Sequence, residues 1–273
     1  MFTTIISFII VFGLIVLFHE GGHFAIAKLN GIKVNEFSIG FGPKFASRKK
    51  GETDYSLRVF PIGGFVKMDG EDELSDNPRG FSNQNPYRRL SVIIAGPLMN
   101  FILAILLLSI ISFNVGVPTT TIDEVFYGKP ASLAGILPGD EIKTINDIEI
   151  KSWTDVSYVI GKSEDDILIT VIRNENLLDF HITPTLEEET DRKIVGIVPA
   201  IEKSLLKSVS AGWNQTVYIF ESIFAFLGDM ISGDEVEGEI IGPVGIVNVI
   251  GEAAHTGILP LLFIAAYLSI NLG

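Results

Sequence analysis

The chain has 273 residues, a net charge of −13 and no cysteine. Without cysteine there are no disulfides, no thiolate metal sites and no cysteine nucleophile, and the acidic balance argues against nucleic acid as a partner. Apolar residues make up 47% of the chain and charged residues only 19%, short of the quarter or so usual for a soluble domain.

The missing charge is concentrated. Residues 1–18, 90–122 and 253–273 contain no Asp, Glu, Lys or Arg, and each gap is long enough for a spanning helix of roughly 20 residues. The spacing predicts a first transmembrane helix over residues 4–29, within a segment 1–29. A cleaved signal peptide does not fit, because there is no basic n-region and the apolar core runs into His19-Glu20 instead of a small-residue cleavage site.

Residues 30–90 read as a β region: 55–60 alternates as a half-buried strand should, and 61–68 reads as a turn followed by a short strand. A second spanning helix is predicted at 91–114, with Gly96-Pro97 in its first turns. A globular α/β segment follows at 115–186, and the acidic run at 187–191 reads as a solvated linker with a further strand near 194–198.

Within 187–240, residues 204–231 carry Val209, Trp213, Val217, Phe220, Phe224 and Leu227 at steps of three and four, one apolar stripe. Lys207, Glu221 and Asp229 favour an amphipathic helix lying on the membrane or on the protein over another span. After an acidic stretch at 229–239, residues 241–273 hold the start of a third transmembrane helix, from near Gly257 and still apolar at Gly273. No internal repeat is visible.

Residues 28–89 hold eleven of the twenty Lys and Arg residues, among them Arg48-Lys49-Lys50 and Arg88-Arg89. This loop is expected to be cytoplasmic. The N-terminus and the segment from Val115 onward are then outside.

His19-Glu20-Gly21-Gly22-His23 carries the chemistry. Residues i and i+4 share a helix face, so His19 and His23 can offer two imidazole nitrogens to one zinc ion at ~2.0–2.1 Å. Glu20 can then take a proton from a zinc-bound water whose pKa falls toward roughly 7. Gly21 and Gly22 are poor helix formers, which suggests close approach to this helix. Ionisable residues inside an apolar helix are costly and usually functional. The bland alternative is two histidines and a carboxylate satisfying one another. A third ligand is needed, and His181 and His255 are both poorly placed for it by this topology.

Other runs include Gly40-Phe41-Gly42-Pro43, Pro61-Ile62-Gly63-Gly64-Phe65-Val66-Lys67-Met68-Asp69-Gly70-Glu71, Pro86 with Arg88-Arg89, Ala95-Gly96-Pro97-Leu98-Met99-Asn100-Phe101, Leu137-Pro138-Gly139-Asp140, Gly242-Pro243-Val244-Gly245 and Ser269-Ile270-Asn271-Leu272-Gly273. With the histidine motif they span nearly the whole chain and resemble the bacterial site-2 proteases, zinc metalloproteases of regulated intramembrane proteolysis with a PDZ domain. The resemblance implies zinc ligands at His19 and His23 and a general base at Glu20. It places a third ligand, an Asp, beyond Gly273, so the chain is expected to be a truncated form, inactive alone.

The resemblance also implies substrate contacts at Gly40, Phe41, Gly42, Gly63 and Gly64 in a membrane-associated β-hairpin, where an extended substrate strand can add to a sheet edge, and at Asn271. Asn100 matches a family position that fits helix packing equally well. Residues 115–186 resemble a single PDZ domain, with Trp153 to Ile160 as the helix beside its peptide groove.

The expected fold class is a multi-pass α-helical membrane protein with a cytoplasmic-side β-hairpin region and one extracytoplasmic PDZ-like α/β domain. The expected location is the bacterial inner membrane. Expected partners are the lipid bilayer, membrane proteins with single transmembrane helices, such as anti-sigma factors already cut outside the membrane, and peptide C-termini at the PDZ domain. The alternative is a non-catalytic membrane scaffold that binds peptides through that domain. A soluble zinc peptidase with an uncleaved leader is disfavoured by the position of His19-Glu20 inside the apolar segment.

Overall fold

The structure, a computed structural model, describes residues 2–73, 75–163, 165–187, 192–232 and 241–273. Of the acidic runs expected at 187–191 and 229–239, residues 188–191 and 233–239 lie outside these residues. The chain divides into two compact units, one of Met1–Ser112 with Ser208–Gly273 and one of Phe113–Lys207.

The first unit opens with α1 (Phe2–Leu29), apolar up to Phe18 and closing on Lys28, a cation suited to the helix C-terminus. Gly31, in the left-handed region at φ 74°, turns the chain. β1 (Val34–Lys50) and β2 (Thr53–Met68) then form a long hairpin. Its register is irregular between Ile39 and Lys44, and the hairpin bends there. Glu36, Phe37, Ser38 and Ile39 consequently lie between two stretches of β2, opposite Lys67 to Gly64 on one side and Asp54 to Leu57 on the other. The turn expected at 61–62 is instead part of β2. Pro43 and Pro61 both fall in the irregular stretch, where a missing N–H costs no ladder bond.

α2 (Pro86–Val115) starts five residues before the expected 91. Asn85 Oδ1 accepts the Tyr87 N–H at 3.0 Å as a cap, and Pro86 needs no amide partner at the first position. Gly96-Pro97 is therefore well inside the helix, where Pro97 leaves the Ile93 carbonyl without its usual donor. Buried Ala27, Ile32, Val34, Val66, Met68 and Val92 lock the end of α1, the hairpin and α2 together.

The second unit contains β3 (Val117–Val125), α3 (Pro130–Ala134), β4 (Glu141–Ile145), β5 (Ile148–Glu149), α4 (Trp153–Lys162), β6 (Ile167–Arg173), β7 (Asn176–Ile182), β8 (Thr185–Glu187), β9 (Arg192–Ile194) and β10 (Ile197–Glu202). The main sheet runs β10-β3-β4-β6-β7, with β5 on β4. The single strand expected at 194–198 is divided between the end of β9 at Ile194 and the start of β10 at Ile197, and β10 pairs with β3 and so extends this unit past residue 186. Asn146 and Asp147, both at positive φ, turn β4 into β5. Ser152 and Asp155 form a capping box at the start of α4. An isoleucine- and valine-rich core, including Ile122, Ile142, Ile145, Val156, Ile167 and Ile169, fills the space under the sheet.

The first unit resumes with α5 (Leu205–Ser232), α6 (Pro243–Thr256) and α7 (Ile258–Leu272). The helix expected from near Gly257 is α7, and a separate helix, α6, precedes it within 241–273. In α5 the buried face is Ser208, Gly212, Thr216 and Ile219. The predicted apolar stripe points outward, with Val209, Trp213, Phe220, Phe224 and Leu227 exposed. The small residues bring α5 against α2: a Cβ on Gly212 would stand 2.8 Å from the Ile105 carbonyl oxygen. α1 and α2 are long and apolar enough to cross a membrane.

Candidate active site

His19 and His23 sit one turn apart on α1, as their spacing requires. Their Nε2 atoms converge to 3.2 Å. The His23 Nδ1–H donates to the Val92 carbonyl on α2 at 2.7 Å, which leaves His23 Nε2 as a bare lone pair. Asn100, also on α2 and buried, brings its side-chain amide to 3.2 Å from His19 Nδ1. Val92, Gly96 and Asn100 recur every four residues, so one face of α2 meets the pair.

Gly96 makes this approach possible. A Cβ there would overlap the His23 ring at Nε2 and stand 2.8 Å from His19 Nε2. Gly22 plays the same part from α1, since a Cβ would overlap the Ala95 carbonyl oxygen. Gly21 does not; nothing lies within 4 Å of its Cβ direction. Close approach was readable in the glycine pair, but only one member serves it.

Glu20 faces the hairpin. It lines a small recess with Val16, Leu17, Phe37, Ser38, Ile39, Gly63 and Gly64. A Cβ on Gly64 would lie 2.7 Å from the Ser38 carbonyl oxygen and 3.5 Å from Glu20 Cγ. Of the substrate residues expected from sequence, Gly63 and Gly64 are therefore beside the catalytic candidate. Gly40 (φ 84°) and Gly42 (φ 87°) shape the bend in β1. Phe41 covers Gly63 and stacks on Phe65 at 6.3 Å between ring centres. Asn271 is exposed and donates to the Tyr267 carbonyl one turn back in α7 at 2.8 Å.

The other histidines are elsewhere. His181 is exposed on β7 in the second unit. His255 closes α6, which packs at Gly251 against Thr4 near the start of α1. Fifteen residues of helix, about 22 Å, separate Thr4 from His19. Among the described residues no three His, Asp or Glu side chains converge on one point.

The pair nonetheless fits zinc. Two nitrogens at about 2.0–2.1 Å from one tetrahedral ion stand roughly 3.3–3.4 Å apart, close to the 3.2 Å seen. Sequence reasoning missed Val92 and Gly96 as supports of the pair. The signal was their four-residue spacing with Asn100.

Groups outside the apolar helices brace the hairpin. Glu52, at its turn, takes two 2.8 Å hydrogen bonds from Arg79 and one of 2.6 Å from Lys28 at the end of α1. These bonds hold the Glu52 carboxyl down at about 2. Asp69, bonded by Lys33, Ser75 and Asn77, is likewise held at about 2.

The model of peptidase family M50 matches residues 7–273. The chain is 37% identical to a Clostridium acetobutylicum protein over 275 residues, all of this chain and 81% of that one. It is 31% identical to the zinc metalloprotease RasP of Bacillus licheniformis, over 99% of this chain and 85% of that protein. It is 30% identical to the regulator of sigma-W protease RasP of Bacillus subtilis, with the same coverage. A PDZ domain of an SdrC-like protein from Listeria monocytogenes matches 31% of this chain and 87% of its own, at 21% identity and a TM-score of 0.27. From the match along its length and the paired histidines on α1, the chain belongs to peptidase family M50, the site-2 protease family of zinc metalloproteases.

Proposed function

We propose that this protein is an intramembrane endopeptidase of the bacterial inner membrane. Its substrates are single transmembrane segments, such as those of anti-sigma factors, already freed of their outer domains. The observation that carries the reading is the 3.2 Å convergence of His19 and His23 Nε2 within an otherwise apolar helix. The name of the Bacillus subtilis relative, a regulator of sigma-W protease, supports the substrate class.

His19 and His23 would hold the zinc ion through their converging Nε2 atoms. Such an ion, when bound, would supply an acidified water and polarise the scissile carbonyl. Glu20 would act as the general base, taking a proton from the attacking water and returning it to the leaving amine. Gly63 and Gly64 line the recess beside Glu20, and an unwound substrate pairs at this edge of the hairpin as an added strand. The bend at Gly40 to Gly42 and the Phe41 ring back this strand. Asn271 is a second substrate contact. Val115 onward, with the PDZ-like unit, lies outside the cell and admits only shortened substrates or their new C-termini.

The test is cleavage of a reporter transmembrane segment by the protein in vesicles. Glu20→Gln should abolish cutting while zinc stays bound. Continued cutting would refute the mechanism, and a substrate cut equally well with its outer domain in place would refute the filter.

A further inference from the structure

Asn100 has an unresolved hydrogen-bond account. It is 1% exposed, and its Nδ2 lies 3.2 Å from His19 Nδ1 while its Oδ1 is buried with no donor. In that arrangement His19 must accept at Nδ1 and carry its proton on Nε2, aimed at the bare Nε2 of His23. The oxygen and nitrogen of an Asn amide are interchangeable by rotation, and the hydrogen-bond network decides between them. With the two exchanged, Oδ1 accepts the His19 Nδ1–H. Both imidazoles then present bare Nε2 atoms to one point. The Asn100 main chain is itself anchored, its carbonyl accepting the Ser269 hydroxyl of α7 at 2.8 Å.

We propose that Asn100 is a positioning residue for His19: its side-chain oxygen accepts the Nδ1–H and so fixes the tautomer in which Nε2 binds metal. His23 has the equivalent support from the Val92 carbonyl. Oriented partners of this kind usually alter metal affinity 10- to 100-fold when removed. The inference rests on zinc binding at His19 and His23.

The test measures zinc affinity by competition with a chromophoric chelator, on the purified chain in detergent, beside its thermal unfolding midpoint. Asn100→Leu keeps the branched shape and loses the acceptor; it should bind zinc about 10- to 100-fold more weakly. Asn100→Asp keeps an acceptor but has no N–H to give, and should stay within about threefold of the unaltered chain, a small part of that range. Wild-type affinity in Asn100→Leu, or an equal loss in Asn100→Asp, overturns the proposal. Should the Leu variant not fold, Asn100→Asp decides alone: retained affinity supports it, and a tenfold loss refutes it. His19→Ala and His23→Ala separate the two readings. If neither weakens zinc binding, the metal site itself is wrong. If both do while Asn100→Leu does not, only the role of Asn100 falls.

Discussion

Gly96 of α2 lies against His23 of α1 so closely that a single added methyl would overlap the imidazole at Nε2. The approach of the two helices and the convergence of the histidines are thus one geometric fact. Gly96→Ala should push the rings apart and cost at least tenfold in zinc affinity and cleavage, in the range seen when groups supporting a metal site are altered. Isothermal titration with zinc on the purified variant measures it; an unchanged affinity would show that the rings can yield without moving the nitrogens.

The paired glycines of the motif should behave oppositely. Gly22→Ala overlaps the Ala95 carbonyl, an overpacking that costs about 1–3 kcal/mol. Gly21→Ala meets nothing within 4 Å, so it should be neutral or gain up to about 1 kcal/mol of helix propensity. Denaturation of both variants in the same detergent checks the order, and equal loss in the two would contradict it.

Much of this site is legible in the sequence because a helix converts spacing directly into a face: His19 and His23, four residues apart, share one. The hairpin was less legible. Pro61 and the glycines at 63–64 signal a turn locally, yet β2 runs through them because pairing across the bend satisfies the backbone. α5 was half legible. Its apolar stripe faces outward, as a helix lying on a membrane allows, but the sequence stripe did not point to the packed face, where close contact with α2 selects the small residues Ser208, Gly212 and Thr216. The start of α2 was missed because Arg88 and Arg89 mask the cap at Asn85.

The bracing of the hairpin by Glu52 sets an acid limit. Hydrogen bonds from Arg79 and Lys28 lower the folded carboxyl to about 2, below the ordinary Glu value of roughly 4.3. A depressed carboxyl stabilises the fold fully above its ordinary value and loses that contribution as pH falls toward 2. Thermal midpoints should therefore be insensitive to this group above about pH 5 and decline below it. Glu52→Gln should lower the midpoint at neutral pH and flatten the decline. An acid profile identical to that of the unaltered chain would exclude Glu52, leaving Asp69 as the group to test.

In the second unit, Asp140 is 1% exposed and takes 2.6 Å bonds from both Arg173 Nε and Nη2, with the Leu137 N–H at 2.9 Å. It ties the turn before β4 to the end of β6. Removing one partner of a buried pair strands the other charge, at a cost of about 3–5 kcal/mol. Arg173 is itself partly exposed, so Arg173→Ala should fall at the lower end of that range. The double variant Asp140→Ala, Arg173→Ala should lose less than the sum of the singles. Trp153 fluorescence in a Trp213→Phe background reports this unit, since these are the two tryptophans of the chain. Strict additivity would mean the pair is not coupled.

The contact between α5 and α2 gives a sharper test of how α5 packs. A Cβ at Gly212 would overlap Ser109 Oγ and stand 2.8 Å from the Ile105 carbonyl oxygen. Gly212→Leu cannot be absorbed by a side chain alone, because the obstacle is partly α2 backbone. It should cost about 1–3 kcal/mol or more and release α5 from α2. Trp213→Leu, one residue on, alters the outward stripe and should leave the midpoint nearly unchanged. Cysteines introduced at Ser109 and Ser208, in a chain that has none of its own, allow cross-linking across the two helices. Efficient cross-linking is expected in the parent and in Trp213→Leu, and its loss in Gly212→Leu. If Trp213→Leu proves the more damaging, the apolar stripe is the packed face after all and the small-residue contact is wrong.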